Sequence, residues 1–151
     1  MRLSLGYPAP EDEVQILERQ MVTHPIEGVE PVLSATEVLD LQHRVRLVHV
    51  DPSLKSYMVA LAGATRQHGA VELGASPRGS LALLRAAQAV AALAGRDFIV
   101  PDDVKRVAVP CLAHRLILKP QRRLQGVSAE QVVNDLLGKV PVPVAEGVPS
   151  S

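Results

Sequence analysis

Aromatic residues are nearly missing from this chain: Tyr7, Tyr57 and Phe98 are the whole set in 151 residues, and tryptophan is absent. That scarcity speaks against base-stacking platforms and against the aromatic-lined pockets of many small-ligand binders. Cysteine occurs once, as Cys111, which excludes an internal disulfide framework and suits a reducing cytosol. Its setting, VAVPCLAHRLIL, fits a buried structural thiol. His114 follows three residues later, but two groups do not make a zinc site, which takes about four ligands. The five histidines are scattered with none paired at i, i+4, so no metal site is expected. Neither sign of charge dominates, because sixteen basic and sixteen acidic residues cancel; nucleic-acid binders usually carry a net basic face. The longest nearly apolar stretch, Leu81 to Ala94, carries Arg85 and Gln88 and is too short for a bilayer. The opening MRLSLGYPAP meets a glycine and two prolines before any apolar run forms, so it does not read as a signal peptide.

What the chain has is helix signals, repeated. Pro10 and the acidic Glu11-Asp12-Glu13 open a first helix, with Val14, Leu17 and Met21 on one face. THPIEGVEPVL, punctuated by Pro25, Gly28 and Pro31, reads as a loop. Ser34-Ala35-Thr36-Glu37 is a capping box for a second helix packed through Val38, Leu41 and Val45. Residues 47–50 suit a short extended piece. Asp51-Pro52 opens a third helix with Leu54, Met58, Leu61 and Thr65 inward, closed by His68-Gly69. Ser76-Pro77 opens a fourth, ending at Gly95, whose apolar length predicts a central, surrounded helix. Pro101-Asp102-Asp103 opens a fifth, bent or broken at Pro110. A second capping box, Ser128 to Gln131, opens a last short helix ending near Gly138. Strands do not alternate with helices, so the expected fold is all-α, a bundle of five or six helices with at most one or two very short extended pieces.

One arginine stands out. Arg78 sits in the first turn of the alanine-rich fourth helix, where cations are mildly disfavoured. Unpaired backbone N–H groups and a guanidinium pointing the same way make a place for an anion. The chain has no G-x-x-x-x-G-K-[ST] loop to cradle a phosphate, so the pattern reads as half of a nucleotide site. A solvated first-turn residue is the plainer reading. Ser76 is a cap rather than a nucleophile, since no base is readable beside it. Gly74 and Gly79 either allow close backbone approach or shape the turn. Arg85 lies two turns after Arg78 and either lines the same cleft or pairs with an acid on a neighbouring helix.

The succession RLSLGYPAPEDEVQIL, YMVALAGATR, GASPRGSLALLRAAQAVAALAGRDFIVPDDVKRVAVPCLAHRLIL and GVSAEQVVNDLLGKVPVP resembles the C-terminal helical, or lid, domain of MoxR-type AAA+ ATPases over nearly the whole chain. The resemblance implies a connector from an ATPase core over 1–9, the lid over 10–140 and a flexible tail over 141–151. It implies that Arg78 is the family's sensor 2 arginine, reaching the γ-phosphate of ATP held by the core, with Ser76 and Pro77 beside it. Gly6, Tyr7 and Pro8 resemble the core–lid hinge that flanks the adenine end of the nucleotide; strain relief at a domain join explains them nearly as well. Arg66, in the ATR triplet, is given no role.

The same resemblance implies that ATP and Mg²⁺ are bound by the full-length protein and that neither is held tightly by this chain alone. P-loop, catalytic acid, sensor 1 and arginine finger are expected upstream, in an ATPase core from which this chain is an excised or truncated part. Expected partners are that core, neighbouring subunits of a cytoplasmic homo-hexamer and von Willebrand A domain proteins, with no nucleic acid and no membrane. Such machines couple ATP hydrolysis to chaperone-like remodelling or activation of protein complexes. The basic run Arg115, Lys119, Arg122 and Arg123 is a solvated connector by default and a contact to the next subunit otherwise. Two other classes stand beside this reading, a helical DNA-binding regulator and a protein-interaction module without nucleotide chemistry.

Overall fold

The computed structural model describes residues 1–143; the end of the expected tail, 144–151, lies outside the described residues. The chain forms two compact units, Leu3–Gln42 and the remainder from His43 onward together with Met1–Arg2. Seven α-helices occur among the described residues, and the only sheet there is a two-stranded one. The all-α expectation holds.

The first unit carries α1 (Pro10–Gln20), a 3₁₀ turn over Pro25–Gly28 within the expected loop, and most of α2 (Ala35–Leu47). The capping box of α2 is formed: the Ser34 amide donates to Glu37 Oε2 at 2.7 Å, and the Glu37 amide donates to Ser34 Oγ at 3.2 Å. The expected packing faces are not buried. Val14, Leu17 and Met21 are 53%, 67% and 81% exposed, and Val38 and Leu41 are exposed too. Helical periodicity reports a face meant for cover, not that the cover lies in the same chain.

The second unit holds the core. Its helices are α3 (Pro52–Gln67), α4 (Pro77–Leu93), α5 (Pro101–Leu112), α6 (Pro120–Leu124) and α7 (Ala129–Lys139). Asp51 caps α3 through the Ser53 amide at 2.7 Å. Leu54, Met58, Leu61 and Thr65 face inward as their spacing predicts, joined by Tyr57. α4 packs on α3 and α5, and α7 covers α3 and α5. The contact face of α4 is narrow and small: Gly79, Leu83, Ala87, Gln88 and Ala91 are buried, while Leu81, Arg85 and Leu93 are exposed. α4 is therefore not the surrounded helix that its composition predicts. Alanine is apolar but also a strong helix former, so a high alanine content does not require burial on every side. α5 continues through Pro110 for two residues and then tightens into a 3₁₀ turn, Ala113–Arg115. Cys111 is buried, and desolvation pushes its thiol pKa up, as suits a packing residue.

Two extended connections were only partly legible. His49 bridges Phe98 in parallel, its amide donating to the Asp97 carbonyl at 2.7 Å and its carbonyl accepting from the Ile99 amide at 3.1 Å. β1 (Val71–Leu73) pairs antiparallel with β2 (Ile117–Leu118) across an irregular register. β2 and α6 lie in the stretch expected to be a solvated connector. Arg115 is half-buried, with its Nε on the Cys111 carbonyl at 2.9 Å, while Lys119, Arg122 and Arg123 are exposed.

Buried polar groups fix these connections. Gln88 Nε2 donates to the carbonyls of Arg46 and Val48 at 3.1 and 3.0 Å, and its Oε1 accepts from Arg85 Nη1 at 2.9 Å. Arg85 thus bonds a neutral amide. Asp103 receives the Arg96 fork at 2.8 and 2.7 Å and the Val100 amide at 2.9 Å. Burial pushes the Asp103 carboxyl up, but the Arg96 and Val100 hydrogen bonds outweigh it and hold the group below the usual carboxylate range.

Gln88→Leu should cost about 1–3 kcal/mol, because carbonyls of Arg46 and Val48 lose their donor; a shift of the urea midpoint reads this. Asp103→Asn should cost about 2–4 kcal/mol at pH 7. A depressed folded pKa gives stability that is full above about pH 4, where the unfolded carboxyl is ionised, and that fades as pH falls through the lower folded value. Denaturant titrations at pH 7 and below pH 4 should therefore show a smaller acid loss for the variant than for the parent.

Candidate functional site

The contacts that lead into the start of α4 begin at the far end of α3. Thr65 sits on the inward face of that helix, fully buried, where an unsatisfied hydroxyl would be costly. Its Oγ1 donates to the Ala62 carbonyl at 2.7 Å and accepts the Ala75 amide at 2.9 Å. Arg66, the next residue, donates from Nε to the Ala75 carbonyl at 2.7 Å. Both polar groups of one peptide residue, Ala75, are thereby gripped by two successive side chains of α3. Gly74 makes the approach possible: a Cβ there would lie 2.7 Å from the Arg66 Cα and backbone nitrogen, closer than a side chain tolerates. β1 delivers the chain to this point, and its pairing is extended by the Lys119 amide on the Ala70 carbonyl at 2.9 Å.

Directly after Ala75, α4 begins. Ser76 occupies the cap position in extended conformation, but its hydroxyl makes no capping bond. The expected cap is one of position; the backbone supplies the closure, with the Gly79 amide on the Ser76 carbonyl at 2.7 Å. Pro77 is the first helical residue and has no N–H to satisfy. Gly79 is buried, and a Cβ there would meet Ala75 Cβ at 3.0 Å and Leu112 Cδ2 at 3.2 Å. Of the two readings open for the glycines, both follow close approach: Gly74 to the backbone of α3, Gly79 to the side chains beneath α4.

Arg78 is exposed and, among the described residues, has no hydrogen-bond or carboxylate partner for its side chain. Its backbone amide, second in the helix, likewise has no acceptor there. A free guanidinium and a free amide on one residue suit an anion arriving from outside. Among the described residues no three His, Cys, Asp or Glu side chains gather as a metal site. The donor set fits phosphate and does not fit Mg²⁺.

Gly6, Tyr7 and Pro8 belong to the first unit, whereas the residues above belong to the second. All three are exposed, and Gly6 adopts φ +73°, a left-handed conformation that favours glycine. A separate shallow groove of about 260 Å³ between α3 and α4 is lined by Lys55, Met58, Val59, Ser80, Leu81 and Leu84. It is apolar and lacks convergent charged groups, which makes it a poor phosphate site. The residues missed by sequence reasoning are Thr65 and Arg66 as partners of Ala75. A threonine at an inward position among Leu54, Met58 and Leu61 was the available signal, since a buried hydroxyl must find a partner.

Residues 63–136 match the AAA lid domain family. The chain is 43% identical over 143 residues to "Uncharacterized protein YeaC" of Bacillus subtilis, covering 95% of this chain and 45% of that protein. It is 35% identical over 157 aligned residues to "Chaperone MoxR1" of Mycobacterium tuberculosis, covering 98% and 41%. A solved structure named a "putative ATPase", from Cytophaga hutchinsonii, superposes with a TM-score of 0.80 at 30% identity, covering 93% of this chain and 45% of the other. The chain thus spans less than half the length of these relatives. No helix among the described residues is long and apolar enough to cross a membrane. A lid-family match running from the end of α3 through most of α7, together with relatives aligned over almost every residue, makes this chain a helical lid domain of the MoxR-like AAA+ ATPase family.

Proposed function

We propose that this domain closes over ATP bound by an AAA+ core outside the chain and that Arg78 acts there as the sensor 2 arginine. The observation that carries the reading is the unpartnered, exposed guanidinium in the first turn of α4, whose own amide is also free. In an in-line phosphoryl transfer, charge shifts among the transferred oxygens and the bridging oxygen, and a fixed cation stabilises that shift. Arg78 would supply it from the lid side, with Ser76 and Pro77 fixing where the helix starts. The Mg²⁺ ligands and the phosphate-cradling loop would come from the core.

Rotation of lid against core would run through residues 5–10, where Gly6, with its left-handed backbone, and the neighbouring Tyr7 and Pro8 form the connector. The exposed stripe Val14, Leu17 and Met21 supports a longer protein in which other chain covers it. In that protein, ATP turnover would drive remodelling or activation of protein complexes by a cytoplasmic homo-hexamer, with von Willebrand A domain proteins as partners. The same stripe favours a second reading, a protein-interaction module without nucleotide chemistry. Nothing comparable favours DNA binding, since the charges sum to zero and α4 presents only two arginines.

Arg78→Ala in the full-length protein should lower kcat for ATP hydrolysis by roughly tenfold to a hundredfold or more, as loss of one transition-state charge contact does; an unchanged rate in a coupled phosphate-release assay refutes the role. The chain by itself should show no ATP turnover, and its affinity for ATP should be no better than roughly millimolar, the range of a few exposed ionic contacts. Saturable sub-micromolar binding by calorimetry would contradict this.

A further inference from the structure

Arg66 matched a family triplet without acquiring a task, and the geometry around it supplies one. Its Nε reaches across to the Ala75 carbonyl, and the Thr65 hydroxyl takes the Ala75 amide, so the residue preceding the α4 cap is held on both its polar groups. Gly74 lies so close to the Arg66 backbone that no side chain fits between them. Three residues after Ala75 comes Arg78. The tip of a long side chain at a helix start moves with any tilt of that start, and a displacement of about 1 Å at a reacting centre can cost roughly a hundredfold in rate.

We propose that Thr65, Arg66 and Gly74 form a positioning clamp that aims Arg78, so that Arg66 is a positioning residue for phosphate engagement and not a part of the core. The proposal rests on the sensor reading of Arg78 given above. Arg66 is exposed as a residue, but its Nε reaches in to a partly buried bond on the carbonyl of the fully buried Ala75, so its hold falls on the one residue that leads into the α4 cap. Thr65 is the buried half of the device: its hydroxyl is committed to Ala62 and Ala75 at once, which fixes its rotamer and so the height at which Ala75 crosses α3. Gly74 sets the spacing. The β1–β2 pairing holds residues 71–73 upstream but makes no bond to Ala75 itself. The clamp is thus the last tie before the helix begins.

The test uses the full-length ATPase and the variants Arg66→Ala, Thr65→Val, Thr65→Ser, Arg78→Ala and the Arg66→Ala/Arg78→Ala double. Arg66→Ala and Thr65→Val should each lower kcat by about tenfold, with KM for ATP shifted far less. Thr65→Ser, which keeps the hydroxyl, should stay near the parent rate. The double variant should be no slower than Arg78→Ala alone, because a clamp that works through Arg78 has nothing left to aim. Hydrogen exchange at residues 74–79 should quicken in Arg66→Ala and Thr65→Val while the rest of the domain keeps its protection. If Arg78→Ala turns over normally, the sensor reading itself fails. If Arg78→Ala is impaired but Arg66→Ala and Thr65→Val are not, or if the losses of Arg66→Ala and Arg78→Ala multiply, the clamp alone is overturned. Unchanged exchange at 74–79 overturns it whatever the rates.

Discussion

The second unit depends on how closely α4 can lie against α5. Gly79, Ala87 and Ala91 keep much of the contact face of α4 small around Leu83 and Gln88, and Val104, Val107, Ala108, Cys111 and Leu112 of α5 belong to the same core. Close helix contact of this kind is stabilising because each buried apolar atom finds several neighbours at van der Waals distance. It is also undirected, since a face made of small residues resists sliding less than an interlocked one. Direction comes from elsewhere. The three polar or charged side chains buried in the described residues are Thr65, Gln88 and Asp103, and each ties a connection: Thr65 the approach to α4, Gln88 the end of α2, Asp103 the turn before α5.

That division of labour explains what could be read in advance. Helix starts were legible because capping chemistry is local: Ser34 with Glu37, Asp51 with Ser53, and Ser128 with Gln131 each satisfy amides within one turn. The inward face of α3 followed from spacing. The β1–β2 pair was illegible, because its strands lie some forty residues apart and one is only two residues long. The bare stripe on α1 was illegible because an apolar face predicts cover without naming its source, and the openness of α4 because alanine favours helix whether or not it is covered. Arg78 lies in the first turn of α4, as its sequence position implies, but its surroundings were not legible, since the grip on Ala75 is a contact across ten residues and a helix–strand–helix turn.

Family membership and site chemistry stand on different ground. Relatives aligned over more than nine-tenths of this chain and a superposable solved structure carry the first. A free guanidinium with a free amide carries the second. Because the chain spans less than half of each relative, the nucleotide reading concerns an encounter between this surface and polypeptide beyond it. A one-sided anion contact is weak until a partner domain excludes water from it.

Cys111 offers an internal clock for this architecture. The lone sulfur lies sealed in the seam between α4 and α5, near the Ala82 carbonyl, and its raised pKa keeps it in the unreactive thiol form. A thiol-directed reagent can reach it only when the two helices part, so the rate of labelling counts those openings. The protein therefore carries, without any added probe, a reporter of how often its own central seam comes undone.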